Sequence, residues 1–155
     1  MKQQYTYEHL DLSDTKSICE IARIHCNIPA EWEDGFECSE SQVNKIASKL
    51  SVTSQGCENL VVVARNRNEE LIGFHWIQLT ETGLDRYGEI YSLWVSAIVR
   101  RQGVGSNLKT VAEKWLKIQG VSKVKTKVYS SNTKMIALNN KLGFTTEMVR
   151  MVKKL

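Results

Sequence analysis

The turn over residues 100–105 and the pattern that follows it constrain the fold of this chain most. The turn holds two arginines and then the triplet Gly103-Val104-Gly105. Apolar residues recur three or four positions apart from there to Leu116, which predicts a long amphipathic helix that stops at Gly120. A strand pattern ends at Val95, just before the turn. A strand, a glycine turn and a long helix in this order are typical of α/β domains.

The rest of the chain supplies further strands and helices. In chain order the patterns predict a strand at 5–12, helices at 13–28 and 39–50, strands at 60–64, 71–77 and 89–95, the helix from Gly103, a strand at 123–129, a helix at 133–142 and a closing strand from Phe144 to Val152. Ser13 is the predicted N-cap of the first helix, and Ser39 and Ser41 precede the second. The predicted order is βααβββαβαβ. The 155 residues and 42% hydrophobic content predict one α/β domain over 1–155.

The turn has the chemistry of a phosphate site. Glycines at 103 and 105 let the backbone turn sharply and approach a ligand closely. The first N–H groups of the helix have no partner within it, and the helix dipole adds positive charge there. Arg100 and Arg101 can donate charge-assisted hydrogen bonds to phosphate oxygens. The chain has no Walker A pattern, and Leu108 stands where a dinucleotide-binding loop needs a third glycine or alanine.

Charge is unevenly distributed. Residues 1–40 carry nine acidic and three basic side chains, whereas residues 100–127 carry eight basic and one acidic. The basic segment has one aromatic, Trp115, at a position that fits a helix core, so we predict no nucleic-acid partner. An anionic small molecule in the second half and a cationic one near the first fit better.

The cellular location and the state of the cysteines are predicted from sequence signals that the chain lacks. The start of the sequence lacks an apolar leader, and no stretch approaches the roughly 20 apolar residues of a membrane span, so we predict a cytoplasmic protein with no membrane partner. The four cysteines show no C-x-x-C spacing. We therefore expect unpaired thiols and no metal site.

At the glycine turn the sequence resembles the GNAT superfamily of N-acetyltransferases. That family has the signature [RQ]-x-x-G-x-[GA] between its fourth strand and third helix, and Arg100, Gly103 and Gly105 match it. A second match follows in the last third, where the family has N-x-x-A-x-x-L-Y-x-K-x-G-F. There the chain has Asn132, Leu138 and Lys141-Leu142-Gly143-Phe144. The resemblance covers essentially the whole chain.

The resemblance implies a fold and a cosubstrate. It implies a mixed central sheet that splays between strands 4 and 5, with acetyl-coenzyme A (acetyl-CoA) in the opening. The backbone of strand 4 would hold the pantetheine arm, and the glycine turn would hold the diphosphate. The implied cofactor-binding residues are Leu93, Trp94, Val95, Arg100, Arg101, Gln102, Gly103, Val104, Gly105, Ser106, Asn132 and Asn139. A helix N-cap is an alternative role for Asn132, and both roles are compatible.

The resemblance also implies acyl transfer from the thioester to an amine. A strand-4 N–H, at Val95, would stabilise the oxyanion. Glu89 is the first candidate for the general base, acting through water as in some family members. The alternative for Glu89 is a solvent-facing strand carboxylate.

One position departs from the family pattern. Asn139 stands where the family commonly has a tyrosine that protonates the leaving thiolate, and an amide cannot act as a general acid near neutral pH. Three alternatives stay open: Tyr129 or Tyr91 replaces that phenol, water does so, or the chain is a non-catalytic acyl-CoA sensor of the same fold.

The acceptor side is implied by the loop between the first two helices. In the family this loop and its flanking helices build much of the acceptor pocket. The candidate substrate-binding residues here are Glu31, Trp32, Glu33, Asp34 and Phe36. Carboxylates beside aromatic rings suit a cationic amine such as a polyamine, an aminoglycoside or a lysine side chain. A solvated loop without a ligand is the alternative, and either a monomer or a homodimer is expected.

Overall fold

The computed structural model describes residues 4–31, 33–52 and 57–155. Its strands are β1 (Thr6–His9), β2 (Cys57–Arg65), β3 (Leu71–Thr82), β4 (Asp85–Val95) and β5 (Val124–Thr126). Its α-helices are α1 (Thr15–Asn27), α2 (Glu40–Ser51), α3 (Val104–Ile118) and α4 (Thr133–Lys141), and short 3-10 helices cover Ile28–Glu31 and Ala97–Val99. Residue contacts divide the chain into two compact units, Met1–Lys125 and Thr126–Leu155.

The five strands form one sheet in the order β1-β2-β3-β4-β5. The first four pair antiparallel, each with its neighbour in the sequence. Helix α3 connects β4 to β5, which runs parallel to β4 as such a crossover requires. The Gly88 N–H donates to the Lys123 carbonyl at 3.0 Å, beside the first half of β4. Because β5 has three residues and β4 has eleven, β5 cannot pair along the whole of β4. The α/β fold class with a mixed sheet is confirmed.

A β-bulge interrupts β4 near its middle. Trp76 pairs with Ser92, but the next residue, Ile77, pairs with Ile90, so Tyr91 is the extra residue. A bulge bends its strand and increases the local twist. The bend comes just before the residues predicted to bind the pantetheine arm.

Helix α3 packs on one face of the sheet. Its apolar side joins alternate residues of β2 and β3 in an aliphatic core that includes Val62, Ile77 and Leu108. Gly73 permits the close approach, since a Cβ there would lie 3.1 Å from the Leu108 side chain and 3.1 Å from the Trp94 carbonyl oxygen. We call this surface of the sheet the α3 face.

Helices α1 and α2 cover the opposite surface, which we call the α1–α2 face. Ile21 and Leu50 pack there against Phe74 and Trp76. Ser39 caps α2 in a capping box with Gln42, as predicted. The predicted cap of α1 is wrong. The N-cap is Asp14, not Ser13, and its carboxylate accepts from the Ser17 N–H.

The predicted closing strand is also wrong, since residues 144–155 carry neither helix nor strand. Four of their apolar residues fall in two adjacent pairs, Met148-Val149 and Met151-Val152. A strand alternates its side chains between two faces, so neither pair can lie on one face. All four side chains are at least 74% exposed.

The prediction of unpaired cysteines is wrong for two of the four. Cys26, near the end of α1, and Cys38, just before α2, form a disulfide with their Cα atoms 5.8 Å apart. This separation is the common one for disulfides. Cys19 is a free, exposed thiol. Spacing gave no signal because the pair is brought together by the packing of two helices against each other.

The helices of the described ranges are all too short or too polar to cross a bilayer.

Candidate active site

The turn before α3 adopts the conformation expected of an anion site. Gly103 is the N-cap of α3 with a left-handed φ of +82°, and no side chain caps this end of the helix. The helix is 15 residues long, so its dipole is well developed at Val104, Gly105 and Ser106. Arg101 also has a positive φ, +65°. A left-handed arginine is uncommon, and such residues concentrate at functional sites.

Two tyrosines near β1 hold this turn and the start of α3. The Tyr5 hydroxyl donates to the Gln102 amide oxygen at 2.6 Å. The Asn107 amide donates to the Tyr7 hydroxyl at 3.1 Å. These contacts join parts of the chain about a hundred residues apart in sequence, so the sequence patterns contained no signal for them.

Arg100 links the turn to two other predicted site elements. Its Nε donates to the Val95 carbonyl at 2.9 Å. Its Nη2 donates to the Glu31 carboxylate at 2.5 Å. A residue predicted to bind the cofactor therefore lies in contact with one predicted to bind the acceptor.

The end of β4 lies directly beside α3. A Cβ on Gly105 would lie 3.6 Å from the Val95 side chain and 3.9 Å from that of Leu93, which is ordinary contact. Leu93, Trp94 and Val95 are all half-buried. The Trp94 ring stacks on Phe74 with centroids 5.9 Å apart, on the α1–α2 face. The strand end is thus held by packing on both faces.

The α1–α2 face also carries a polar and aromatic cluster beside the β4 bulge. Tyr91 stacks on Trp76 with centroids 4.9 Å apart, and the His25 ring meets Trp76 edge-on at 5.3 Å. The Lys49 ammonium lies 4.0 Å above the Tyr91 ring. Burial lowers the pKa of His25, and the charge of Lys49 lowers it further. Ser92 is buried, and its Oγ has no hydrogen-bond partner among the described residues.

Two titratable groups are buried on the α3 face. The His75 Nδ1 donates to the Ser92 carbonyl at 3.0 Å, next to the bulge. Burial lowers the pKa of His75 to about 3, with a contribution from Lys109. Burial also lowers the pKa of Lys109 to about 8, partly offset by Glu113. The histidine is therefore neutral near pH 7, and its N–H is used by the carbonyl of the residue next to the bulge.

Glu89, the predicted base, lies on β4 opposite Gln78 and is half-buried. Gln78 shares its side of β3 with Trp76, so Glu89 belongs to the α1–α2 face. Its role as base stays a prediction.

In the predicted acceptor loop, one residue contacts the rest of the fold and others are exposed. Glu31 ends a 3-10 helix and contacts Arg100, while Glu33 and Asp34 are exposed and Phe36 is half-buried. Trp32 lies outside the described residues. Acceptor binding by these residues stays a prediction.

Three candidates lie in the second unit. Asn132 caps α4, with its side-chain oxygen accepting from the Met135 N–H at 3.1 Å, which confirms the helix-cap role. Asn139 is buried within α4, and its Oδ1 has no hydrogen-bond partner in the described part of the chain. Tyr129 is 80% exposed. The catalytic and cofactor roles of these three residues stay predictions.

Sequence patterns missed His25 and His75 as parts of the site region. Both histidines are single residues within apolar patterns, and only the packing of the sheet shows that they flank the bulge from opposite faces. A polar side chain at an inward position of a strand was the available signal for His75.

Part of the chain is similar in sequence to curated proteins. A mycothiol acetyltransferase from Segniliparus rotundus is 34% identical over 88 residues, which cover 55% of this chain and 33% of that protein. The chain thus spans about a third or less of the length of the curated relatives it matches.

Solved structures match the whole chain. A Pyrococcus furiosus protein described as an acetyl transferase superposes with a TM-score of 0.74 at 27% identity, covering 97% of this chain and 99% of that one. AAC(6')-Iy in complex with a CoA-containing bisubstrate analogue has a TM-score of 0.71 at 16% identity, with 99% of both chains covered. This last likeness shows the fold alone. Residues 27–144 match the acetyltransferase (GNAT) family, so the chain belongs to that family.

Proposed function

We propose that this chain is an N-acetyltransferase that moves the acetyl group of acetyl-CoA to a primary amine of a cationic small molecule or peptide. The observation that carries the proposal is the start of α3. There, a left-handed Gly103 opens a 15-residue helix, and Arg100 is fixed beside it by the Val95 carbonyl. Helix N–H groups, a helix dipole and a guanidinium at one place suit a diphosphate. Family membership supplies the link from diphosphate to CoA.

The residues fit this cosubstrate on their own geometry. A Cβ at Gly103 would meet no atom within 4 Å, so the surface in front of the helix start is open. The diphosphate would lie against the backbone from Gly103 to Ser106, and the pantetheine arm along Leu93–Val95. The AAC(6')-Iy complex, which contains CoA joined to an acetylneamine, supports this use of the fold.

Acyl transfer requires three tasks of the protein. The Val95 N–H would stabilise the oxyanion that forms as the amine attacks the thioester carbonyl. An aliphatic amine is mostly protonated at neutral pH, so Glu89 would take its proton through water. The thiolate would then leave, with a proton from Tyr129 or from water, because the Asn139 amide cannot supply one.

The acceptor class follows from charge. Glu31, Glu33 and Asp34 are three carboxylates within four positions of one loop. Their combined field favours a cation, and Phe36 adds an apolar surface beside them. A polyamine, an aminoglycoside and a lysine side chain all belong to this class.

A second candidate function is a sensor that binds acyl-CoA without turnover. The observation that favours it is Asn139, which is buried where the family pattern has the acidic phenol. Titration calorimetry with CoA and a thiol-release assay with a panel of cationic amines separate the two functions. An enzyme binds CoA and releases thiol with at least one amine, whereas a sensor binds and releases none. If CoA does not bind, both functions are excluded.

A matched pair of glycine variants tests the site itself. Gly103→Ala and Gly120→Ala each place an alanine at a left-handed φ, +82° and +73°, with open space around the Cβ. Each should cost about 1 kcal/mol of stability. Only Gly103→Ala places this strain at the turn that presents the first N–H groups of α3 to the ligand, and we expect it to raise KM for acetyl-CoA about tenfold, a change of about 1.4 kcal/mol. Equal KM values for the two variants would contradict the proposed site.

A further inference from the structure

The ion pair between Arg100 and Glu31 joins the two halves of the proposed site. Arg100 belongs to the turn that precedes α3, and Glu31 ends the 3-10 helix after α1, 69 positions away in sequence. The two side chains are 44% and 43% exposed, so solvent and ligands can reach the pair.

The pair uses the side of the guanidinium that a diphosphate would need. Arginine has five N–H donors in a planar fork, and it binds phosphate best through two parallel N–H groups. Here Nε donates to the Val95 carbonyl and Nη2 to Glu31. Because the carbonyl holds Nε, the donor pair left for a diphosphate is Nη1 and Nη2. Nη2 is engaged by the Glu31 carboxylate, an anion that competes directly with phosphate oxygens.

The loop that carries Glu31 is closed at both ends. The disulfide between Cys26 and Cys38 closes the loop between α1 and α2. The Asn27 side chain donates to the Arg23 carbonyl at 2.9 Å and accepts from the Cys38 N–H at 3.1 Å. The carboxylate therefore reaches Arg100 from a loop whose two ends are held together.

We propose that Glu31 is an internal competitor for Arg100, and that diphosphate binding displaces its carboxylate and makes it available to the cationic acceptor. This inference rests on the proposed function, because it requires CoA at the glycine turn. It predicts a positive coupling between the two ligands. With Arg100 occupied by diphosphate, Glu31 presents a full negative charge to the acceptor, whereas without CoA that charge is neutralised by the guanidinium.

The test measures CoA binding to the full chain by titration calorimetry, with no acceptor present. Glu31→Gln removes the competing charge and should tighten CoA binding about threefold, the size expected for one half-exposed ion pair. The same variant should raise KM for the amine that gives thiol release. A residue with only a structural role would not improve one ligand while weakening the other.

Two further variants make the test specific. Glu33→Gln removes the same charge from the same loop and should change CoA affinity by less than Glu31→Gln does. In an Arg100→Ala background, Glu31→Gln should have no effect on CoA affinity, because its competitor role needs the guanidinium. A Glu31→Gln protein that binds CoA no more tightly than the parent overturns the inference while leaving the proposed function intact. A parent chain that binds no CoA overturns both.

Discussion

The two faces of the sheet differ in how far they bury their titratable side chains. On the α3 face, His75 and Lys109 lie in an aliphatic core and are each at most 3% exposed. On the α1–α2 face, Lys49 is exposed, while His25 and Tyr91 are half-buried among aromatic rings. The same strands thus carry an enclosed pair on one side and an accessible cluster on the other.

This difference in burial indicates which groups can fix the backbone and which can contact a ligand. A group enclosed in an aliphatic core cannot exchange protons readily with a ligand, but it can fix backbone geometry, as His75 does for the Ser92 carbonyl at the bulge. A group beside aromatic rings at the surface can meet a ligand. We therefore expect the acceptor amine on the α1–α2 face, and we expect variants on the α3 face to act on stability and cofactor geometry.

The largest expected effect is the loss of Trp76 from the α1–α2 face. Its ring is 1% exposed and contacts both Tyr91 and His25, and its N–H donates to the Asn59 side chain at 2.9 Å. We expect Trp76→Ala to lower the free energy of unfolding by about 4 kcal/mol, since it opens a large cavity. Urea denaturation measures this change.

The matched variant is Trp76→Phe, which keeps a ring and removes the hydrogen bond to Asn59. It should cost about 2 kcal/mol, because the Asn59 oxygen is left buried without its donor. If Trp76→Ala costs no more than Trp76→Phe, the aromatic cluster does not hold α1 and α2 on the sheet.

The next effect concerns the enclosed pair on the α3 face. The pKa of Lys109 falls from 10.5 to about 8, so between these values the unfolded chain holds a proton that the folded chain has lost. The free energy of unfolding should therefore rise with pH in this window, by about 3 kcal/mol in total from this group. Below pH 8 both states are protonated, and the contribution is constant.

Lys109→Met removes this dependence, and the difference between parent and variant isolates it from other titrating groups. Denaturation at a series of pH values from 7.5 to 10.5, in roughly half-unit steps, measures the difference. Lys114→Met, an exposed lysine of the same helix, should leave the parent's slope unchanged. An identical slope in parent and Lys109→Met would mean that the lysine is not desolvated.

Local sequence patterns predicted those parts of the site that local physics determines. The Gly103 turn, the α3 helix and the caps at Ser39 and Asn132 each depend on residues within one or two helical turns. The cap of α1 was missed by one position because Ser13 and Asp14 are both good N-caps, and the backbone decided between them.

Contacts between distant residues could not be predicted in this way. The Cys26–Cys38 disulfide and the Glu31–Arg100 pair depend on how helices and turns pack. The disulfide also bears on the predicted cytoplasmic location, because such bonds are uncommon in that compartment. The missing closing strand is a third case, since β-propensity alone does not supply a partner strand.

The smallest expected effect is at the edge of the accessible cluster. Lys49 lies above the Tyr91 ring, and its charge lowers the pKa of His25. Lys49→Met should cost only about 0.5 kcal/mol, the usual contribution of an exposed cation–π contact. It should also raise the pKa of His25 toward its ordinary value, which NMR titration of the imidazole measures. The pKa should stay below the ordinary value of a histidine, because burial is the larger cause of the shift. An unchanged pKa would mean that the charge of Lys49 is too well solvated to act on His25. The histidines on the two faces would then differ only in how deeply they are buried, and a neighbouring lysine would not influence His25.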